Sequence, residues 1–224
     1  MREAVIVANA RTPLAKSHRG SFNMTRPDDL GGMAIRAALG QVPNLDPDEI
    51  EDVIMGCGLP EGPSGHNVGR VAALAAGLSE KVPGVTVNRY CSSGLQSIAQ
   101  ASHRVMTGEC DVVIGGGTES ITLVQNDKQR FVDMVNPVLN EKVPGLYMGM
   151  GQTADIVAER YSVSREDQDA YALLSQQRVA KAQAEGWFED ISPVTVNRMA
   201  KQPDGEFKLE EGVTVERDEC NRPN

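Results

Sequence analysis

Short β-type runs alternate with helix-type stretches along the first half of this chain, and that alternation constrains the fold more than any other feature. Residues 3–9, Asp52–Gly58, Val85–Val87 and Asp111–Ile114 are brief apolar or β-branched runs of strand length. Between them lie segments with 3.6-residue spacing. Asp28 or Asp29 can cap a helix to about Leu39, with Leu30, Met33, Ala34, Ala37 and Ala38 on its apolar face. Asn67 starts a second helix through Val71, Leu74 and Ala75 to Gly77. A third opens at Cys91 and runs to about Thr107, with Leu95, Ile98, Ala99, Ser102, Val105 and Met106 in helical register and Gly108 as its stop. Strand–helix–strand units of this kind require crossover connections. The expectation is therefore an α/β fold with right-handed crossovers, a mainly parallel sheet and helices on both faces.

The alternation breaks near residue 121. From about Ile121 to Gly149 the chain mixes Asn, Lys, Asp and Pro with scattered apolar residues, a length that suits a functional or interaction segment. Two helices follow. One covers about Thr153–Tyr161. The other has Ser164 as N-cap with Asp167 three residues on, a near-match to a capping box, and runs to about Ala184. Residues 192–199 and 206–216 read as strands.

The 224 residues are enough to bury a sizeable core, with 40% hydrophobic and 24% charged residues. A net charge of −9 argues against general nucleic-acid binding, which needs cationic surface. No apolar run approaches membrane-spanning length, and the start of the chain has neither signal-peptide nor transit-peptide character, so a cytoplasmic protein is expected. Cys57, Cys91, Cys110 and Cys220 form no Cys-x-x-Cys pair, and His18, His66 and His103 are not at metal-ligand spacing from them. That leaves packing or nucleophilic chemistry for the thiols, and neither a metal nor another bound cofactor is expected.

Cys91 is the thiol best placed for chemistry. It ends the run Val85-Thr86-Val87-Asn88-Arg89-Tyr90 and precedes a helical pattern. A helix N-terminus favours the thiolate through open N–H groups and the macrodipole. The competing reading is a buried packing cysteine. Gly115-Gly116-Gly117-Thr118-Glu119-Ser120 follows a strand as phosphate loops do, but it lacks their lysine and the dinucleotide fingerprint. Close backbone approach explains the glycines better. Glu119 reads as a buried acid near the site, or as an N-cap partner or solvated residue. His103, on the same helix as Cys91, lies about 18 Å along it and cannot serve as its base. His66 sits in a Gly/Pro-rich loop, and nothing local places it.

Asn88-Arg89-Tyr90-Cys91-Ser92-Ser93-Gly94-Leu95-Gln96-Ser97 resembles the acylation motif of thiolases, the acyl-CoA C-acetyltransferases. Further segments resemble the same family, in family order. They are Ala8-Asn9-Ala10-Arg11-Thr12-Pro13, Gly115–Ser120, Met150-Gly151-Gln152-Thr153-Ala154-Asp155, Ser164–Asp169, and Asp218-Glu219 through Arg222-Pro223. The resemblance implies a thiolase-like layered fold. An N-terminal α/β domain would occupy 1–120 and an inserted loop domain 121–224. Within the latter, about 121–149 would be the tetramerisation loop and about 150–224 the region that binds CoA and its pantetheine.

It also implies the chemistry. Cys91 takes the acyl group from an acyl-CoA, with its backbone N–H as an oxyanion donor. Claisen condensation with acetyl-CoA follows, or thiolysis of a 3-oxoacyl-CoA in reverse. Coenzyme A thioesters are the implied substrates, Met150 and Arg222 the implied CoA contacts, and a homodimer or dimer of dimers the implied assembly. Gly149 stands where many biosynthetic members carry histidine, which points toward the degradative or broader-specificity branches. The family's Asn-Glu-Ala, Gly-His-Pro and Cys-x-Gly motifs are absent from this sequence, and Asn221-Arg222 after Cys220 gives no substitute. A second α/β half is therefore expected from elsewhere. Two other readings remain: a catalytically incomplete chain that binds partners or acyl-CoA, and a ketoacyl synthase that condenses by decarboxylation.

Overall fold

The computed structural model describes residues 2–222 and divides them into two compact units. The first is the stretch up to Lys128 together with Glu189–Cys220, and the second is Gln129–Phe188 with the chain from Asn221. The paired strands near the end of the chain thus group with residues before 128, not with 150–188.

In the first unit, strand β1 (Asp52–Gly56) lies between β2 (Gly84–Val87) and β3 (Val113–Gly117), and both pairings are parallel. Every residue of β1 is buried, as a central parallel strand requires. Helices α1 (Pro27–Leu39) and α2 (Val68–Ala75) cover one face. There Ile35, Val53, Met55, Ala72 and Ala73 form the main core with Leu78 and Val82. Helix α3 (Ser93–Thr107) covers the other face. The expected parallel α/β layering is observed.

Several local expectations are corrected. Residues 3–9 form no strand; Val5, Ile6 and Val7 are exposed at 74%, 78% and 71%. The run has the composition of a strand, but a strand needs a ladder partner, and Asn9 pairs its main chain with the Gln41 side chain instead. Helix α1 is not capped by Asp28 or Asp29. Its N-cap is Arg26, Pro27 supplies the first turn, and both aspartates sit inside that turn, where the helix dipole favours them. Arg26 forks onto Asp28. The third helix starts at Ser93, so Cys91 lies just outside it. Its buried stripe is Ser93, Ser97 and Ala101, while Leu95 and Ile98 face outward. Small residues are selected because α3 lies almost on the sheet backbone. A Cβ on Gly115 would come within 3.0 Å of the Ile98 Cα and 3.1 Å of the Ala101 Cβ. The three glycines at 115–117 are strand residues and form no phosphate loop.

Two expected boundaries hold closely. Asn67 caps α2 by accepting from the Arg70 N–H. Gly108 ends α3 in the left-handed conformation (φ 75°), where a side chain would be strained. The later strands are β4 (Val194–Lys201) and β5 (Phe207–Val215), an antiparallel pair. Val194, Val196 and Val215 pack with Phe22 against Leu30 and Met33 of α1. Arg11 ties this end of the unit together by reaching both Asp190 (2.9 Å) and Asp218 (2.8 Å).

The second unit holds α5 (Pro137–Lys142), α6 (Met150–Arg160) and α7 (Arg165–Ala184). The segment expected to be loop from 121 to 149 contains α5 and, in the first unit, one further turn, α4 (Ile121–Val124). Ser164 caps α7 through the Asp167 N–H, and Asp167 reaches back to the Ser164 hydroxyl. The Asn221 side chain and the Arg222 N–H are both held by Gln176 of α7. Among the described residues no helix is long and apolar enough to cross a membrane.

Candidate active site

Parallel pairing brings the C-terminal ends of β1, β2 and β3 to one edge, where Gly56 stands opposite both Val87 and Gly117. Ligand sites of open α/β sheets form at this edge. Three segments leave it: Cys57-Gly58 after β1, Asn88–Ser92 after β2 and Thr118-Glu119 after β3. Each is pinned where it leaves the sheet. The Cys57 N–H donates to the Val87 carbonyl (3.0 Å), and the Thr118 N–H donates to the Gly56 carbonyl (3.0 Å).

The segment after β2 makes an elbow. Tyr90 has φ 46°, a left-handed conformation that costs a bulky residue about 1 kcal/mol or more. The surroundings enforce it. The Tyr90 N–H donates to Asn88 Oδ1 (2.8 Å). The Tyr90 carbonyl accepts from the Ser93 N–H (3.0 Å) and the Ser93 hydroxyl (2.6 Å). Ser93 Oγ in turn accepts from the Arg89 N–H (2.9 Å). Cys91 stands at the tip of this elbow, exposed, one residue before the N-cap of α3. The Ser92 side chain makes no cap hydrogen bond, which leaves first-turn amides of a 15-residue helix open toward the site. The Cys91 N–H itself makes no hydrogen bond among the described residues.

The other thiols differ. Cys57 is 1% exposed, and burial, with the nearby Glu119 charge, pushes its thiol up to about 11. Cys110 is buried and raised for the same first reason. Cys220 is half-buried beyond the second strand pair. Glu119 is engaged: one oxygen accepts from the Gly58 N–H (2.6 Å) and the other from the Cys57 thiol (3.6 Å). It is therefore not an N-cap partner, and the expectation of a buried acid is corrected: Glu119 is an exposed residue whose two carboxylate oxygens are nonetheless both bonded to the turn after β1. His66 and His18 are exposed in left-handed backbone, and His103 lies on the outer side of α3 toward its C-terminal end. No histidine is hydrogen-bonded to Cys91 among the described residues.

Sequence reasoning named Asn88, Ser93 and Ser97 only as members of the motif and Gly58 only as the end of a strand, and assigned none of them its structural role. Ser97 bridges the Gly94 carbonyl (2.6 Å) and the Gly116 carbonyl (2.5 Å), stitching α3 to β3. A usable signal was the pair of serines four residues apart on a helix face, opposite a glycine-rich strand. Met150 and Arg222 belong to the second unit. Met150 opens α6 and is 74% exposed, and Arg222 is an exposed residue held through its main chain. Among the described residues no group of acidic, histidine or cysteine side chains could hold a metal.

The comparisons with known proteins agree with this architecture. A family model described as the thiolase N-terminal domain matches residues 4–224. The 3-ketoacyl-CoA thiolase of Bacillus subtilis (strain 168) is 46% identical over 224 residues, covering 100% of this chain and 56% of the relative. The beta-ketoadipyl-CoA thiolase of Acinetobacter baylyi is 38% identical over 218 residues, covering 91% of this chain and 54% of the relative. Peroxisomal 3-ketoacyl-CoA thiolase B of Mus musculus is 38% identical over 223 residues, covering 99% and 51%. The chain thus spans about half the length of the curated relatives it matches. With its parallel sheet, the elbow after β2 and a match from residue 4 onward, the chain belongs to the thiolase family, within that family's N-terminal domain.

Proposed function

We propose that this chain is the nucleophile-bearing part of an acyl-CoA acyltransferase of thiolase type, with Cys91 as the nucleophile. The observation that carries the proposal is the exposed Cys91 thiol at an enforced elbow beside the open N-terminus of α3, while Cys57 and Cys110 are buried. The Cys91 thiolate attacks the thioester carbonyl of an acyl-CoA. The tetrahedral oxyanion is met by the Cys91 N–H, and collapse expels CoA thiolate, which takes up a proton. An acetyl-CoA that has lost its α-proton to a base then attacks the acyl-enzyme. That releases a 3-oxoacyl-CoA and frees Cys91, and thiolysis runs the same steps backward.

The base and the group that returns a proton to CoA or carbon come from a second half of the enzyme, since the sequence has no Gly-His-Pro or Cys-x-Gly motif. Met150 and Arg222 contact CoA in this proposal, and the 121–149 region joins dimers. The protein works in the cytoplasm without a bound cofactor. The printed names of the relatives, 3-ketoacyl-CoA and beta-ketoadipyl-CoA thiolases, support 3-oxoacyl-CoA as the substrate class. The test is to mix the chain with the C-terminal half of the Bacillus relative and follow thiolysis of acetoacetyl-CoA. Acetyl groups are then mapped by mass spectrometry after exposure to acetyl-CoA. Activity and a Cys91-borne acetyl group, both lost in Cys91→Ala, are expected. Activity that survives Cys91→Ala would refute the assignment.

The outward apolar residues Leu95 and Ile98 of α3, with Val5–Val7, favour a second reading in which the chain binds a partner without turnover. Size-exclusion chromatography of the chain alone separates the two, because a compact monomer at all concentrations would count against an exposed partner face.

A further inference from the structure

The carboxylate of Glu119 is not used by the chemistry above, yet it is bonded twice at the edge where Cys91 stands. Its oxygens receive the Gly58 N–H at 2.6 Å and the Cys57 thiol at 3.6 Å. Gly58 is buried, so its N–H has no water to fall back on, and Glu119 is its acceptor. Cys57 keeps its proton at neutral pH and so remains a donor, because burial raises its thiol to about 11. The two contacts fix the turn that follows β1.

That turn is the floor of the elbow. A Cβ placed on Gly58 would lie 2.9 Å from Glu119 Oε2, 3.3 Å from the Tyr90 carbonyl oxygen and 3.4 Å from the Tyr90 carbonyl carbon. The Tyr90 peptide is therefore held between two supports. Ser93 of α3 bonds its carbonyl from one side, and on the other Gly58 lies so near that a single added Cβ would already touch it. Tyr90 is the left-handed residue whose strain must be borne by its neighbours, and Cys91 is the next residue.

We infer that Glu119 is a positioning residue for Cys91. It holds the Cys57-Gly58 turn against Tyr90 and thereby keeps the elbow, and with it the Cys91 N–H, in place. The assignment rests on the proposed role of Cys91. It adds that the acid after the glycine-rich strand acts through two intermediates, Gly58 and Tyr90, and never touches the substrate. Cys57 is the second donor that orients the carboxylate.

The test is hydrogen exchange read by mass spectrometry on the full chain, comparing wild type with Glu119→Ala and Glu119→Gln. The Ser92 and Ser93 amides, which close the elbow, report it; the amides of the β1–β2 ladder report global opening. In Glu119→Ala the elbow amides should exchange at least about tenfold faster while the ladder amides stay within about twofold, as loss of a hydrogen bond to a charged group requires. Glu119→Gln should restore most of the protection, since its amide oxygen still accepts from Gly58. If the alanine variant fails to fold, Glu119→Asp, one methylene too short to reach both donors, should show the same local loss. Unchanged elbow amides, or a rise matched by the ladder amides, would overturn the inference.

A second readout applies once acylation of Cys91 by acetyl-CoA has been detected in the wild type. Glu119→Ala should then slow acylation at least about tenfold while alkylation by iodoacetamide changes less than twofold, because only acylation needs the aligned N–H. Equal slowing of both reactions counts against it. Hydrogen exchange does not depend on acylation, so a chain that is never acylated removes the proposed function and leaves the elbow result to stand or fall on its own.

Discussion

Gly56→Ala should damage this protein more than any other single-methyl addition near the site. Gly56 ends β1 with the α3 backbone directly above it. A Cβ there would lie 2.5 Å from the Gly94 nitrogen and 2.5 Å from the Ser93 carbonyl oxygen, with the Ser93 carbonyl carbon closer still. These are main-chain atoms and cannot rotate aside. To reach the 3.4 Å of ordinary contact, the N-terminus of α3 must retreat by at least 0.9 Å (3.4 minus 2.5). Overpacking of this kind costs about 1–3 kcal/mol. The retreat also strains the Ser97 bridge to the Gly116 carbonyl, at about 1 kcal/mol for a lost hydrogen bond. The sum is roughly 2–4 kcal/mol, a large part of a domain's usual margin of about 5–15 kcal/mol. Urea denaturation followed by circular dichroism measures it. Gly94→Ala is the control: nothing lies within 4 Å of its added Cβ, and alanine in a helix gains up to about 1 kcal/mol over glycine. Equal urea midpoints for the two variants would refute the close approach of α3 to the end of β1.

Two further predictions concern thiols and acid. Brief treatment of the folded chain with iodoacetamide near neutral pH should label Cys91 and leave Cys57 unmodified, since Cys57 is both buried and raised to about 11; peptide mapping checks this, and rapid labelling of Cys57 would contradict the described core. Asp218→Asn should cost about 2 kcal/mol at pH 7, and the deficit should shrink as the pH falls below about 4. Burial pushes the Asp218 carboxyl up, but the Arg11 hydrogen bond and charge and the Leu14 N–H outweigh it and hold it below the ordinary carboxylate range. A group lowered in the folded state contributes stability above its unfolded pKa and loses it as pH falls through the folded value. Urea midpoints at pH 7 and pH 3 test the sign, and a deficit equal at both would refute the pairing.

What the sequence made legible was local. Ser164 and Asp167 marked the start of α7 because a cap is a contact between residues three apart. Gly108 marked the end of α3 because a left-handed stop tolerates little else. The order of strands and helices pointed to the parallel sheet. What escaped depended on partners far along the chain. Residues 3–9 have strand composition, but no local pattern says whether a ladder will form. The periodicity of Leu95, Ile98 and Val105 promised a buried apolar stripe, yet the glycines of β1 and β3 drew α3 in so closely that Ser93, Ser97 and Ala101 took that face. At the site, the motif singled out Cys91. The bond from Gly58 to Glu119 spans 61 positions and was invisible until the sheet brought the strand ends together.

The pairing of β4 and β5 with α1 has a consequence for the order of events during synthesis. Leu30 and Met33 of α1 pack in one cluster with Phe22 and with Val194, Val196 and Val215 of the β4–β5 pair. Met33 leaves the ribosome 182 residues before Val215 does (215 minus 33). At about 5–20 residues per second that is a wait of roughly 10–40 s. During that interval the parallel layer can assemble on its other contacts while a greasy flank stays bare. The nascent first unit therefore carries apolar surface on α1 that is not yet matched by its β4–β5 partners until the last strand arrives.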